Sequence, residues 1–330
     1  MKISFLAEND FANVLTEYTY CLNKHSKDIE ARSICYRPHP FNYNLQHDYD
    51  LEKCNETQKL EAKHFLKKSD VIIFAEEGHP IGNTYRTLRE FSNLLGLDLL
   101  NLDKKFIIWH PGSHYRANSQ FYNNHPLRNK IYKHLYAFDL YKISNKEAND
   151  LPFLVYNYID FNKEKLINNF KNKLKLPKRL ISHIPSNTHT KGTDIITNQL
   201  VNLPNNVEFI TDHGISHPKV IEYKMKSLFY IDQFNDWGTY GVAAIEAVLT
   251  SNIVFCTLHN THEAIVKLTG EPILPFVDLE TDPSQINSII STYINLPNEI
   301  LIEMYEGIIQ WMEEYYSPKG IINQIKEIIK

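Results

Sequence analysis

The sequence predicts an α/β protein built from two doubly wound, mostly parallel sheets. Three observations carry that expectation. Short apolar runs alternate with segments of helical spacing along most of the chain. The alternation halts in a charged, proline-ended stretch from about residue 160 to 178 and then restarts. The length of 330 residues suits two domains of about 150–180 residues each.

In the first half, Lys2 to Ala7 reads as a short buried strand, and Ala12 to Lys24 as a helix with Val14, Tyr18, Cys21 and Leu22 on one face. Ile29 to Tyr36 is a second strand and Thr57 to Lys68 a helix. Asp70 to Ala75 is the clearest buried strand, followed by a helix from Asn83 to Leu95 and a strand from Lys105 to Trp109. His125-Pro126 marks a turn, and Leu154 to Tyr158 reads as a last strand before the charged linker. Strands that alternate with helices imply parallel pairing with right-handed crossovers.

The second half opens with a strand at Arg179 to Ile184. A helix (Thr193 to Leu200), a strand (Val207 to Thr211) and a helix (Pro218 to Lys226) follow. Then comes the densest stretch of the chain. A strand, Ser227 to Asp232, leads through the loop Trp237-Gly238-Thr239-Tyr240-Gly241 into a helix that carries Glu246, and Asn252 to Cys256 returns to strand. Helices at Thr261 to Leu268, Pro283 to Tyr293, Asn298 to Tyr316 and Gly320 to Lys330 complete it, the last two divided at Ser317-Pro318. The domains expected are 1–165, 176–315 and a terminal helix over 316–330.

Composition bounds the chemistry. A net charge of −4 argues against an electrostatic grip on nucleic acid. The four cysteines, Cys21, Cys35, Cys54 and Cys256, form no C-x-x-C pair and fit buried thiols in a reduced, cytoplasmic chain. The first apolar run is too short for a signal peptide, and no stretch reaches the length of a membrane span. A peripheral place at the inner membrane face stays compatible with this. Among 15 histidines, the pairs His110/His114 and His213/His217 have i, i+4 spacing, but no third ligand matches them, so zinc is not expected. No G-x-S-x-G elbow, Walker A loop or G-x-G-x-x-G is present.

Strand–loop–helix units build nucleotide-sized crevices where strands end. Backbone N–H groups at a helix start can hold phosphate, and a carboxylate such as Glu246 can accept both hydroxyls of a ribose. Glu246 would equally suit the positive end of its helix. Ser186-Asn187-Thr188-His189-Thr190-Lys191-Gly192-Thr193 also follows a strand and opens a helix, and its lysine can reach a phosphate. A solvated lysine beside an ordinary turn is the plain alternative. In the first half, His110 ends a strand within Trp109-His110-Pro111-Gly112-Ser113-His114-Tyr115-Arg116, and Glu76-Glu77-Gly78-His79-Pro80 ends another. Both could line a crevice, and both could be structural.

Together these residues resemble the GT-B glycosyltransferases, in particular the retaining family 4 (group 1) enzymes. The stretch His183-Ile-Pro-Ser-Asn-Thr-His-Thr-Lys-Gly-Thr193 is similar to that family's H-A-P-S-N-R-x-x-K-G-T, and Thr239-Tyr-Gly-Val-Ala-Ala-Ile-Glu-Ala247 to its W-Y-G-x-x-A-x-E-A. Phe106 to Ser113 sits where the family has a strand followed by F-H-G-S. Tyr156-Asn-Tyr-Ile-Asp160 resembles its P-N-P-I-D, and Ser317-Pro318 its Y-S-P-E before a helix that crosses back to the first domain.

The resemblance implies two Rossmann-like domains with a cleft between them, the first on the acceptor side and the second holding a nucleotide sugar. It implies sugar transfer with retention, no metal and no cofactor beyond the nucleotide sugar, and a glycan or lipid-linked acceptor of the cell-surface kind. By position, Lys191 would hold the diphosphate with Asn187, Thr188 and Gly192 beside it. Glu246 would bind the ribose. Tyr240, Gly241, Val242 and Ala243 would bring the chain close to the donor, His110 would contact the transferred sugar, and Arg116 would support the diphosphate.

Four departures stand out. The family's first glutamate is Gly238 here, and the arginine that partners its lysine is absent. The Gly-Gly after the first strand is replaced by the glycine-free stretch Glu8 to Asn13. The glycine and proline after the second glutamate's helix are Ser251 to Ile253. These departures keep other readings open: a non-catalytic GT-B partner or glycan-binding protein, a sugar-nucleotide epimerase, and a phage-type DNA-base glycosyltransferase.

Overall fold

The computed structural model describes residues 1–10, 13–37, 45–75, 89, 91–124, 128–146, 149–154, 161–271 and 274–330. The chain divides into two compact units, Met1–Tyr158 with Ile321–Lys330, and Ile159–Gly320.

Among the described residues the first unit holds seven strands: β1 (Lys2–Asn9), β2 (Glu30–Arg37), β3 (Tyr49–Asp50), β4 (Val71–Ala75), β5 (Lys105–His110), β6 (Lys133–Tyr136) and β7 (Asp150–Pro152). Their order is β3-β2-β1-β4-β5-β6-β7, and all pairs are parallel. The register runs Ile3 to Val71 and Phe5 to Ile73, so apolar rows line up across neighbours. Strand β4, Val-Ile-Ile-Phe-Ala, is buried throughout, as a parallel strand covered on both faces should be. Among the described residues the helices of this unit include α1 (Val14–His25), α2 (Glu56–Lys68), α3 (Ser113–Asn124) and the single turn α4 (Phe138–Tyr141). Helix α2 starts on a capping box, in which Asn55 and Gln58 bond each other's backbone N–H.

The second unit holds β8 (Arg179–His183), β9 (Val207–Thr211), β10 (Phe229–Gln233), β11 (Ile253–Cys256) and β12 (Val277–Asp278), again all parallel. Their order is β12-β11-β10-β8-β9. The chain starts at β8, steps to β9 on one side, then returns to β10 on the other. The β8/β10 boundary is therefore the point where the winding reverses, and loops at such a point splay apart into a crevice. The helices are α5 (Lys163–Lys173), α6 (Thr193–Gln199), α7 (His217–Lys226), α8 (Val242–Val248), α9 (His262–Thr269), α10 (Ile286–Ile294), α11 (Asn298–Tyr315) and α12 (Pro318–Ile329). All but the first three residues of α12 belong to the first unit, where Lys326 pairs with Asp28 at 2.8 Å and Lys105 donates to the Ile329 carbonyl at 2.6 Å.

Two sequence expectations change. The charged stretch from 160 to 178 is not an open linker: it contains α5, capped by Asn162, with Leu166, Phe170 and Lys173 buried. Phe170 stacks on Tyr305 of α11 at 4.3 Å, and the Lys173 ammonium donates to the carbonyls of Lys224, Thr250 and Ser251. Among the described residues the last strand of the first unit is Asp150–Pro152, and the strand expected over Leu154 to Tyr158 falls, from 155 on, outside the described residues. The helix expected from Pro283 is a 3-10 turn, Pro283–Gln285, before α10. His125-Pro126, most of Asn83 to Leu95, Glu76 to Pro80 and Tyr156 to Asp160 also fall outside the described residues. Cys21, Cys35 and Cys256 are buried free thiols, and Cys54 is partly exposed. Among the described residues no helix is long and apolar enough to cross a membrane.

Candidate functional site

The β8/β10 boundary gathers most of the residues singled out above. The turn after β8 closes on itself. The Asn187 side chain accepts from the Thr190 N–H at 3.0 Å, its carbonyl accepts from the Lys191 N–H at 3.2 Å, and the Thr188 carbonyl accepts from Thr193 at 3.0 Å. The loop after β10 lies against this turn. Phe234 donates to the Lys191 carbonyl at 3.1 Å, and Asn235 to that of Thr190 at 2.9 Å. Gly192 has φ +69°, and a Cβ there would stand 2.0 Å from the Phe234 carbonyl oxygen, so glycine is required on both counts.

These two loops bring Lys191 over the end of β10. Its ammonium donates to Asp232 Oδ1 and Gln233 Oε1, both at 2.8 Å. Asp232 Oδ2 accepts the Gly241 N–H at 2.7 Å, just before α8. One buried carboxylate thus holds the lysine from one strand end and the backbone from the next. His183 braces the arrangement. Its Nδ1 donates to the Ile231 carbonyl at 2.8 Å, which leaves Nε2 to accept from the Thr193 hydroxyl at 2.9 Å. Burial is the main cause holding its pKa down at about 4, with the Lys191 charge adding to it, so the ring is neutral.

Glu246 is the fifth residue of α8 rather than a first-turn acid, and it is buried. Lys224 of α7 donates to its Oε2 at 2.5 Å, and His217 Nε2 lies 2.7 Å from its Oε1. Lys224 also donates to the Ala243 carbonyl at 3.0 Å, tying the carboxylate's partner to the first turn of α8. Burial pushes the Glu246 pKa up, but the Lys224 charge and the His217 contact outweigh it and set the value at about 2. The group is an anion with acceptor capacity at neutral pH. Val242 and Ala243 are partly exposed beside it, and the Tyr240 hydroxyl meets that of Tyr316 at 2.9 Å.

Gly238 shows why the resembled family's first glutamate has no counterpart here. Its φ is +58°, and a Cβ would lie within 2.7 Å of the His259 imidazole. A side chain at this position needs a different loop, not one substitution.

The first-unit candidates are placed differently. His110 ends β5 but is 1% exposed, enclosed by Tyr115, Tyr122 and Tyr136, with Nε2 3.2 Å from His134 Nδ1. Beneath it Arg128 pairs with Asp150 at 2.5 Å and donates to the Tyr136 hydroxyl at 2.9 Å. Arg116 is partly exposed on α3. After β1, where the resembled family has two glycines, the Asp10 carboxylate accepts from Leu15 N at 2.8 Å and from Thr16 N and Oγ1 at 2.9 Å, so it fills the start of α1. Among the described residues no cluster of three or more metal-ligating side chains occurs.

Sequence reasoning missed Asp232, Gln233 and Lys224, and weighed His217 only as a metal pair with His213. Two signals could have found them. A lone carboxylate closes the apolar strand Leu228-Phe229-Tyr230-Ile231-Asp232. His217 and Lys224 are seven apart, so they share one face of α7 across two turns.

No family model matches the chain, and no curated protein sequence does. Solved structures do. The chain is similar to Anabaena HepE in complex with UDP-glucose, at TM-score 0.60 and 12% identity over 99% of this chain and 98% of that one. It is similar to a glycosyltransferase from Rickettsia africae, at 0.56 and 11% over 100% and 98%. A TarM variant from S. aureus, in complex with fondaparinux, α-GlcNAc-glycerol and UDP, gives 0.51 and 12% over 83% of this chain and 59% of that one. At such identities the likeness concerns the fold: two parallel-sheet α/β units of seven and five strands, in the GT-B architecture.

Proposed function

We propose that the chain is a glycosyltransferase of the retaining, family 4 kind, which moves a sugar from a nucleotide donor to a glycan or lipid-linked acceptor without a bound metal. The observation that carries this reading is that Lys191 and the Gly241 amide meet on Asp232 at the strand-order reversal, and that the helix that follows Gly241 carries the ionised Glu246. Support for the substrate class comes from HepE and TarM, which were solved with UDP-glucose and UDP.

In this reading the diphosphate takes the N–H of Lys191 that Asp232 and Gln233 leave over, since an ammonium has three. Glu246 accepts ribose hydroxyls while Lys224 and His217 hold its carboxylate in place. The bond between the anomeric carbon and the diphosphate oxygen breaks as the acceptor oxygen attacks on the same face, and the acceptor proton passes to the departing phosphate. No protein base is then required. Charge that develops on the leaving group falls on Lys191. His110 would meet a sugar only if the tyrosines around it gave way.

Titration with UDP-, GDP-, ADP- and CMP-linked sugars, with and without EDTA, tests this. One nucleotide series should raise the melting temperature, with no effect of EDTA. Lys191→Ala and Glu246→Ala should each weaken that donor's binding more than about tenfold, as loss of a charge-assisted contact does. Wild-type affinity in both variants would sink the assignment. A second reading, a non-catalytic GT-B protein, is favoured by the ion pair of Lys191 with Asp232, which offsets the lysine charge. It differs in one readout, because only the enzyme releases nucleoside diphosphate.

A further inference from the structure

We propose that Asp232 is a built-in counter-anion of the diphosphate site: it positions Lys191 and the Gly241 amide, and it holds down the site's affinity for a diphosphate. The inference rests on the nucleotide-sugar reading of that site.

Three observations lead to it. The Asp232 side chain is 0% exposed, while that of Lys191 is 16% exposed, so the carboxylate lies behind the ammonium as seen from solvent. Its two oxygens are committed to different loops, Oδ1 to Lys191 at 2.8 Å and Oδ2 to the Gly241 N–H at 2.7 Å. The Gly241 backbone is pressed onto this pair, since a Cβ there would lie 3.0 Å from Lys191 Nζ and 3.3 Å from Asp232 Oδ2. An incoming diphosphate therefore meets two donors already bonded to one anion, and the ammonium and carboxylate charges cancel.

A buried carboxylate stripped of both partners is strongly destabilised, so Asp232 keeps its bonds when a ligand arrives. The lysine stays oriented and offers one N–H, not a free charge. A neutral, fixed pair binds a diphosphate less tightly than an uncompensated ammonium would. The gain is orientation of the donor phosphates and easy release of the nucleoside diphosphate.

Calorimetric titration of the full chain with UDP, GDP and ADP decides the matter. Asp232→Asn keeps the size, removes the charge and retains one acceptor, which can hold the Gly241 N–H while the amide NH2 faces Lys191 and leaves its ammonium uncompensated. It should bind the preferred nucleotide at least about tenfold tighter than wild type, with a steeper loss of affinity on adding salt. In the double variant Asp232→Asn/Lys191→Met the gain should vanish, because it depends on the lysine charge. A residue that only supports the fold would give weaker or unchanged binding in Asp232→Asn, and that result overturns the proposal while leaving the donor site standing. Tight binding by Asp232→Asn alone would support it. No nucleoside diphosphate bound by either protein would overturn both the proposal and the donor reading. Should Asp232→Asn fail to fold, the wild type still answers: a neutral pair predicts a shallow salt dependence, and a steep one excludes it.

Discussion

Two glycines flank Lys191 and fail differently when changed. Gly192 follows it in sequence, in the left-handed region, with the Phe234 carbonyl where a Cβ would go. Gly192→Ala meets both backbone strain and an immovable obstacle, so we expect a loss of roughly 3 kcal/mol and a clear fall in melting temperature. Gly241 covers the ammonium in space, but its backbone is extended (φ −101°, ψ 176°) and suits any residue. The nearest atom to an added Cβ is Lys191 Nζ, the free end of a flexible chain. Gly241→Ala should therefore melt within about 2 °C of wild type, yet bind the donor roughly tenfold more weakly because Lys191 is pushed aside. Melting curves paired with nucleotide titrations separate the two. Equal melting losses in both variants would show that Gly241 is a structural glycine and not a neighbour of the bound ligand.

At the scale of elements, legibility tracks burial. Strand β4 was readable because every residue in Val71–Ala75 is buried, and the pattern needs no partner to be seen. Strands β6 and β7 escaped notice, since Lys-His-Leu-Tyr and Asp-Leu-Pro carry polar groups whose partners lie on other segments, as with Arg128 and Asp150. The same holds for the site. The glycine-bearing loops with Lys191 and Glu246 were visible in one dimension. Asp232, Lys224 and His217 gain their meaning only from pairing across strands and helices. Helix α5 is the plainest misreading, because its Lys- and Asn-rich surface hides three buried positions, Leu166, Phe170 and Lys173, spaced four and three apart. If α5 is part of the second unit's core, Phe170→Ala should cost about 3–5 kcal/mol in urea unfolding, the usual loss for a buried phenylalanine. A linker would lose nothing, so an unchanged midpoint would return these residues to that role.

At the scale of the whole chain, buried groups in the two units respond oppositely to acid. In the second unit, His183 is held neutral down to about pH 4, while an unfolded histidine takes up its proton near 6.5. The unfolded state then binds more protons between those values, so stability falls as pH drops from 6.5 to 4. Glu246 acts in the same direction at lower pH. Its folded pKa of about 2 lies below the ordinary 4.5, so its ionised bonds stabilise the fold above 4.5 and are lost as pH falls toward 2. In the first unit, burial raises Asp10 from 3.8 to about 6, against the bonds from Leu15 and Thr16. The folded state binds the extra proton, so Asp10 adds stability as pH falls from 6 to 3.8, whereas the exposed Asp28 and Glu30 of the same unit are shifted down by Lys326 and Lys2. For the buried groups, shifts of two to three pKa units amount to roughly 3 kcal/mol each, enough to separate the two transitions. Trp109 reports on the first unit, and Trp237 and Trp311 on the second. In single-tryptophan variants titrated from pH 7 to 3, the signals of Trp237 and Trp311 should change at a higher pH than that of Trp109. Hydrogen exchange should rise first in peptides within Ile159–Gly320. The last ten residues make the sharper case, because they follow the second unit in sequence but belong to the first. Their exchange should stay slow with β1 and β4 while α11 opens. If α11 and α12 exchange together, the two units unfold as one and the opposed titrations do not govern the acid transition.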